Sequence, residues 1–301
     1  MPQVIDTTAG GLVGLPFNIT LAAPFVIGLL MLLRARRIEE PQPAGGLGSY
    51  HRHASRWRTG GLTAGLASAA LVAYGGLPPG RDHWLAGLIC GVCILGGVLT
   101  GELLVSRPDG TVRAATLMPR RIRDYLPRRY GPLLGLLVLI LTALMTITIT
   151  AAAHMAGSNR PLSVTCPNGS LLLPQGSVLS AALSGLASLI GGAGMCLLVL
   201  RKIVTRPAFP SDADPDKDNA LRARSAEAVT LAWGCQVASS VLASSMLVTT
   251  YFDTAADAPC NTQGLMPSRI VAYLLVAGSA AALIYFLIRL TRLPRQRKAA
   301  A

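Results

Sequence analysis

The chain has 301 residues, of which 51% are hydrophobic and only 14% charged, against roughly 25% charged in an ordinary soluble domain. A soluble domain this apolar would lack the polar surface to cover itself, so that class is excluded. The formal charge of +13 sits in short loops beside apolar segments, where anionic headgroups and the insertion machinery account for it more simply than nucleic acid does.

Seven apolar segments follow one another, at residues 16–33, 59–77, 84–105, 132–153, 177–200, 226–248 and 270–288. Each is about 18–24 residues long, enough for a helix rising ~1.5 Å per residue to cross ~30 Å of hydrocarbon. Helix is required because a lipid-exposed strand edge leaves backbone groups unpaired. The expected fold is an all-α polytopic membrane bundle: one transmembrane domain of seven helices, N-terminus outside, C-terminus inside, in the plasma membrane. The Met1–Leu15 stretch has no basic residues, so no cleavable signal peptide is expected and the first span acts as its own anchor. That span carries Asn18, Thr20 and Pro24; it either crosses or re-enters the bilayer.

The first inside gap holds Arg34, Arg36, Arg37, Arg52, Arg56 and Arg58. In span two, Gly61, Gly65, Ala69 and Ala73 repeat every four positions; in span three, Gly87 and Gly91 do, then Gly97 and Gly101. Such stripes let helix backbones approach closely. They serve packing within the bundle, or docking onto a second copy or a partner. Cys90-Gly91-Val92-Cys93 has metal-ligand spacing, but no His or second pair completes a tetrahedral site. Small hydrophobes are the better reading, and no metal or cofactor is expected. Glu102 lies about one turn from the inner end of span three, where it can pair with a loop arginine.

The second inside gap holds Arg107, Arg113, Arg120, Arg121, Arg123, Arg128 and Arg129. Within it, the alternating apolar and basic residues from Pro119 to Pro127 are expected to lie along the inner headgroup layer. Span four bears a stripe of Thr142, Thr146 and Thr150. Cys166 follows in one long outside loop and Cys260 in the other, and a disulfide between them is expected on the oxidising face. Span five has Ser180, Ser184, Ser188 and Gly192 at four-residue spacing, and Gly191-Gly192-Ala193-Gly194 as a candidate helix break.

The third inside gap holds Arg201, Lys202, Arg206, Lys217, Arg222 and Arg224. Its Asp212, Asp214, Asp216 and Asp218 fit no EF-hand frame, because the required Gly and Glu positions are filled by other residues. They read as a solvated linker whose last residue caps the next helix. Glu227 opens span six on the inner side, and Gln236 is the most deeply placed amide. The basic tail, residues 289–301, carries Arg289, Arg292, Arg295, Arg297 and Lys298. Of the 27 basic residues, all but Arg81, Arg160 and Arg269 fall in these four regions, and that asymmetry sets the orientation.

Two segments resemble stretches of uncharacterised actinobacterial multi-pass integral membrane proteins. One runs from Gly101-Glu102-Leu103-Leu104 through Leu117-Met118-Pro119-Arg120-Arg121-Ile122-Arg123-Asp124-Tyr125-Leu126-Pro127. The other is Asp218-Asn219-Ala220-Leu221-Arg222-Ala223-Arg224-Ser225-Ala226. The resemblance implies the membrane class and the source, and brings no activity or catalytic residue with it.

Nothing in the chain assembles a nucleophile, a base and an orienting group, so no enzyme is expected. The leading expectation is a non-enzymatic accessory or partner subunit, working with the lipid bilayer and a membrane partner or further copies of itself. The alternative is a small-solute transporter with a site near the midplane, drawn from Gln236, Glu102, Glu227 and Pro24.

Overall fold

The computed structural model of the chain describes residues 46–74, 83–104, 122, 125, 127–156, 162–166, 169–173, 175–205, 215–257 and 266–293. The expected first span, with Pro24, lies outside them, as does Cys260. The described residues form six long helices: α1 (Gly46–Tyr74), α2 (His83–Leu103), α3 (Gly131–Ala156), α4 (Gln175–Thr205), α5 (Pro215–Asp257) and α6 (Met266–Arg292). A 3-10 turn, Arg128–Tyr130, leads into α3. Five of the six helices, α2 to α6, are long and apolar enough to cross a membrane. The sixth, α1, carries residues 59–74 of the second span expected at 59–77, but arginines occupy its first half.

Strands β1 (Leu162–Cys166) and β2 (Gly169–Leu173) form an antiparallel pair between α3 and α4, with Cys166 opposite Gly169. The β-branched Val164 and Thr165 favour the strand.

Helix α5 is the hub. Its 43 residues would extend roughly 65 Å at ~1.5 Å per residue, about twice the hydrocarbon thickness. It packs against α2, α3, α4 and α6. Of its spanning window 78% is buried, against 22% for α3. Many of its interior residues are small: Ala226, Ala228, Ala232, Cys235, Ala238, Ser239, Ser240 and Ala243 are buried, beside larger ones such as Val229, Leu231, Val237 and Leu242. On the neighbouring helices, Leu139, Ile147, Ile190, Leu198 and Leu274 are exposed. Lipid tails are as apolar as leucine, and close van der Waals approach of small residues drives helix association instead.

The glycine stripes of α2 face two ways. Gly97 meets α1, where a methyl added to it would lie 2.5 Å from the Gly61 Cα. Gly87 meets α5, where a methyl would lie 2.9 Å from the Ser239 carbonyl oxygen. Cys90 and Cys93 line the seat of Gly65, and both are free thiols. The candidate break in span five does not occur. Helix α4 runs unbroken through Gly191–Gly194, because a broken helix would leave backbone groups unpaired in a medium without water. Ile122 and Tyr125, expected in the headgroup layer, pack instead against the hydrophobic core.

Replacing Gly97 with Leu should force α1 off α2 and destabilise the bundle by about 1–3 kcal/mol or more. Gly96, one residue away, has nothing within 4 Å of an added methyl, so Gly96→Leu should leave the midpoint of denaturation in detergent near that of the parent protein.

Candidate functional site

The polar side chains of the bundle fall in two places, one end and the middle. At the end, the first residues of α1, α3 and α5 meet the last residues of α2, α4 and α6, so successive helices alternate in direction. Glu102, near the end of α2, is buried and accepts a hydrogen bond of 3.1 Å from the Arg58 guanidinium of α1. Glu227 of α5 accepts from the Arg129 guanidinium and, at 2.8 Å, from the Tyr130 hydroxyl. Both carboxylates thus pair with arginine, and each joins a different pair of elements. Glu102 ties α2 to α1, whereas Glu227 ties α5 to the turn before α3.

Two cations cap helix ends. Lys202 Nζ donates to the Leu103 carbonyl at 2.7 Å, at the end of α2. Arg222 Nη1 donates to the Ile203 and Val204 carbonyls at 2.7 and 3.0 Å, at the end of α4. The last carbonyls of a helix have no partner within it and carry its partial negative charge. A cation placed there satisfies both. Arg222 is 0% exposed, and these two acceptors are backbone carbonyls. Sequence reading grouped it with the solvated loop residues, because a backbone acceptor leaves no mark on composition. Tyr130 was missed for a different reason. It is an isolated aromatic in a basic run, yet it is fully buried between the Glu227 carboxylate and the rings of Tyr285 and Phe286.

In the middle lies Gln236, nine residues along α5 from Glu227 and therefore about 13 Å farther from that end. Its Nε2 donates to the Ser188 carbonyl and shares a 2.7 Å contact with the Ser188 hydroxyl. The carbonyl acceptor fixes which way the amide points. Its Oε1 is buried and has no hydrogen-bond partner among the described residues. Glycines seat it on both sides. A methyl on Gly192 of α4 would collide with the Gln236 amide, and one on Gly91 of α2 would collide with the Ser239 hydroxyl. The amide is therefore the junction of α2, α4 and α5.

The structure does not join Gln236, Glu102 and Glu227 into one cluster. Pro24 lies outside the described residues, and so does Cys260, the expected partner of Cys166. No disulfide is present among the described residues. The three threonines of α3 are exposed, each returning its hydroxyl to the carbonyl four residues earlier, at Val138, Thr142 and Thr146. Near the middle, a partly open cavity of about 20 Å³ is lined by Met145, Thr148, Gly185, Ser240 and Ser244, among others. That volume is room for about one water molecule.

Comparison with family models, with curated proteins and with solved structures found no match to this chain.

Arg222→Met should cost about 1–3 kcal/mol, since it leaves buried carbonyls without their donor. Arg201→Gln, at an exposed position of the same helix end, should change stability by no more than about 0.5 kcal/mol. Chemical denaturation in detergent, read by circular dichroism, compares the two.

Proposed function

We propose that this chain is a non-enzymatic subunit of a plasma-membrane assembly, a seven-span protein with its N-terminus outside and its basic tail inside. It works by holding a membrane partner rather than by moving or converting a solute. One observation carries the reading: the intramembrane polar residues join helix to helix. Gln236 holds α4, Glu102 holds Arg58 of α1, and Glu227 holds the turn before α3.

Helix α3 supports it. Most of its span is exposed, and a shallow depression on its surface is lined by Gly135, Val138, Leu139, Thr142, Ala143, Thr146 and Ile147. Because the threonine hydroxyls are satisfied within the helix, this face offers small apolar bulk, suited to close approach by another helix. An external Cys166–Cys260 disulfide joining the two long outside loops belongs to the same reading.

A second reading, a small-solute transporter, is favoured by the unpartnered Gln236 Oε1. A half-satisfied amide deep in the bundle is where a polar solute or an ion would find an acceptor.

Native mass spectrometry of gently extracted protein, with and without reductant, separates the readings. A stoichiometric second polypeptide is expected. Purified chain that moves a solute in liposomes by itself would sink the subunit proposal. Gln236→Leu sharpens the comparison. It should lower stability by about 1–2 kcal/mol, the scale of a polar contact between membrane helices, with the assembly retained; a transporter would instead lose all flux with its bundle intact.

A further inference from the structure

The arginine-rich end carries a second arrangement, in which Arg129 and Tyr130 of the Glu227 tie also take part. Tyr130 and Tyr285 lie edge to face with their ring centroids 6.3 Å apart. The Arg129 guanidinium lies over the Tyr130 ring at 4.8 Å, and that of Arg289 over the Tyr285 ring at 5.6 Å. Two guanidinium groups thus each lie over one ring of the Tyr130–Tyr285 pair, one from the turn before α3 and one from the end of α6. A guanidinium stacked on a ring keeps its N–H edge free for a planar anion. Glu227 offsets one of the two charges. Arg289 has no carboxylate within ion-pair distance among the described residues, and Arg128 and Arg292 are exposed beside the pair. With Arg128, Arg129, Arg289 and Arg292 against the single carboxylate of Glu227, the cluster is a net electropositive patch among the described residues.

Its surroundings fit one kind of molecule. Both α3 and α6 pack against α5. Tyr285 is 37% exposed, and Ala281 and Ala277, four and eight residues before it, are exposed too. Residues four apart share a helix face. This row of small residues leads away from the arginines into the span for about 12 Å, and next to it a methyl on Gly278 would meet nothing within 4 Å. The charged end and the smooth apolar track together match a headgroup with an acyl chain attached.

We propose that this end of the bundle binds an acidic glycerophospholipid, with its phosphate between Arg129 and Arg289 and one acyl chain along the Ala277–Ala281–Tyr285 face of α6. A zwitterionic lipid brings its own ammonium group and gains less from the patch. Free phosphate lacks the chain and gains only the charge. Phosphatidylglycerol is the simplest lipid with the required chemistry.

The experiment uses full-length protein in detergent, titrated with phosphatidylglycerol, with phosphatidylcholine of the same chains, or with inorganic phosphate, and read by native mass spectrometry and thermal shift. Phosphatidylglycerol should be retained at least about fivefold better than phosphatidylcholine, the scale of one interfacial cation. Arg289→Gln, which breaks no ion pair among the described residues, should cut that retention by about fivefold, and the Arg129→Gln/Arg289→Gln double variant should abolish the preference. Ala281→Trp, which obstructs the acyl track and leaves both cations, should also weaken retention. Equal retention of the two lipids, equal stabilisation by inorganic phosphate, or unchanged retention in Arg289→Gln would each overturn the proposal. Should the double variant fail to fold, Arg289→Gln decides alone.

Discussion

Helices in a bilayer gain no hydrophobic energy by touching, since lipid tails solvate leucine as well as another helix does. Everything else in this bundle depends on how close the backbones come to α5. The sequence of α5 is built for that, with Ala232, Cys235, Ala238, Ser239 and Ala243 inside. Small residues on one helix are not enough; the facing helix must be bare too, as α2 is at Gly87 and Gly91 and α4 at Gly192. Where a large side chain enters the core, a glycine receives it: Phe286 of α6 is fully buried against Gly234. Small residues gather where helices cross, while leucines and isoleucines occur both in the core, as Ile94 and Leu141, and on the exposed faces, as Leu139 and Ile190. At Gly61, Gly87 and Gly97 the interior tolerates little added volume, because the neighbours are backbone atoms rather than movable side chains.

The basic residues at one end have two roles that sequence counting merges into one. They obey the asymmetry that orients membrane proteins, and several also complete the helices. Helices α2, α4 and α6 all finish at that end, so three sets of orphan carbonyls and three negative dipole ends gather there. Lys202 serves α2, and Arg222 serves α4. Each cation comes from a different helix than the one it caps, so capping also fixes one helix against another. Glu102 and Glu227 fit the same logic from the other side, being the carboxylates that give Arg58 and Arg129 fixed partners. A buried arginine is costly without such partners. Arg222 is tolerated because two carbonyls at 2.7 and 3.0 Å replace water.

The helices themselves were legible because a run of apolar residues long enough to cross lipid has one stable backbone form. The expected spans at 132–153 and 270–288 each lie on a single helix, α3 and α6, and residues 84–103 of the span expected at 84–105 lie on α2. Their ends were less legible. Hydropathy marks where the chain leaves hydrocarbon, and the backbone hydrogen bonds of α5 continue for eleven residues before the expected start at 226, through Arg222 and Arg224. Gly191–Gly194 misled for a related reason. Glycine lowers helix propensity by about 1 kcal/mol in water, but unpairing backbone groups in lipid costs several kcal/mol each, so the helix persists. Pairing of Glu102 and Glu227 with nearby arginines followed from charge alone. The Gln236–Ser188 bond did not, because a serine in a small-residue stripe has no feature that separates a packing position from an acceptor.

The threonine row of α3 shows how a polar stripe in sequence can be quiet in structure. Thr142, Thr146 and Thr150 face outward, yet each hydroxyl is bonded within its own helix at 2.8–2.9 Å. Lipid or a neighbouring helix meets methyl groups and not free donors. Gln236 is the opposite case, with one half of its amide bonded across to α4 and its Oε1 buried and open. An amide in the interior holds a neighbour by one atom and exposes a need with the other. The one-water cavity nearby is lined partly by Ser240 and Ser244, four and eight residues along the same helix. At one helical turn per four residues, these groups follow one another up a single side of α5. Among the described residues, buried polar atoms without a hydrogen-bond partner occur on α1, at His53 and Arg58, and on α5, at Trp233, Gln236 and Ser245. Gln236 sits between glycines of two neighbouring helices, Gly91 of α2 and Gly192 of α4, so its open acceptor lies at the junction where α2 and α4 meet the hub.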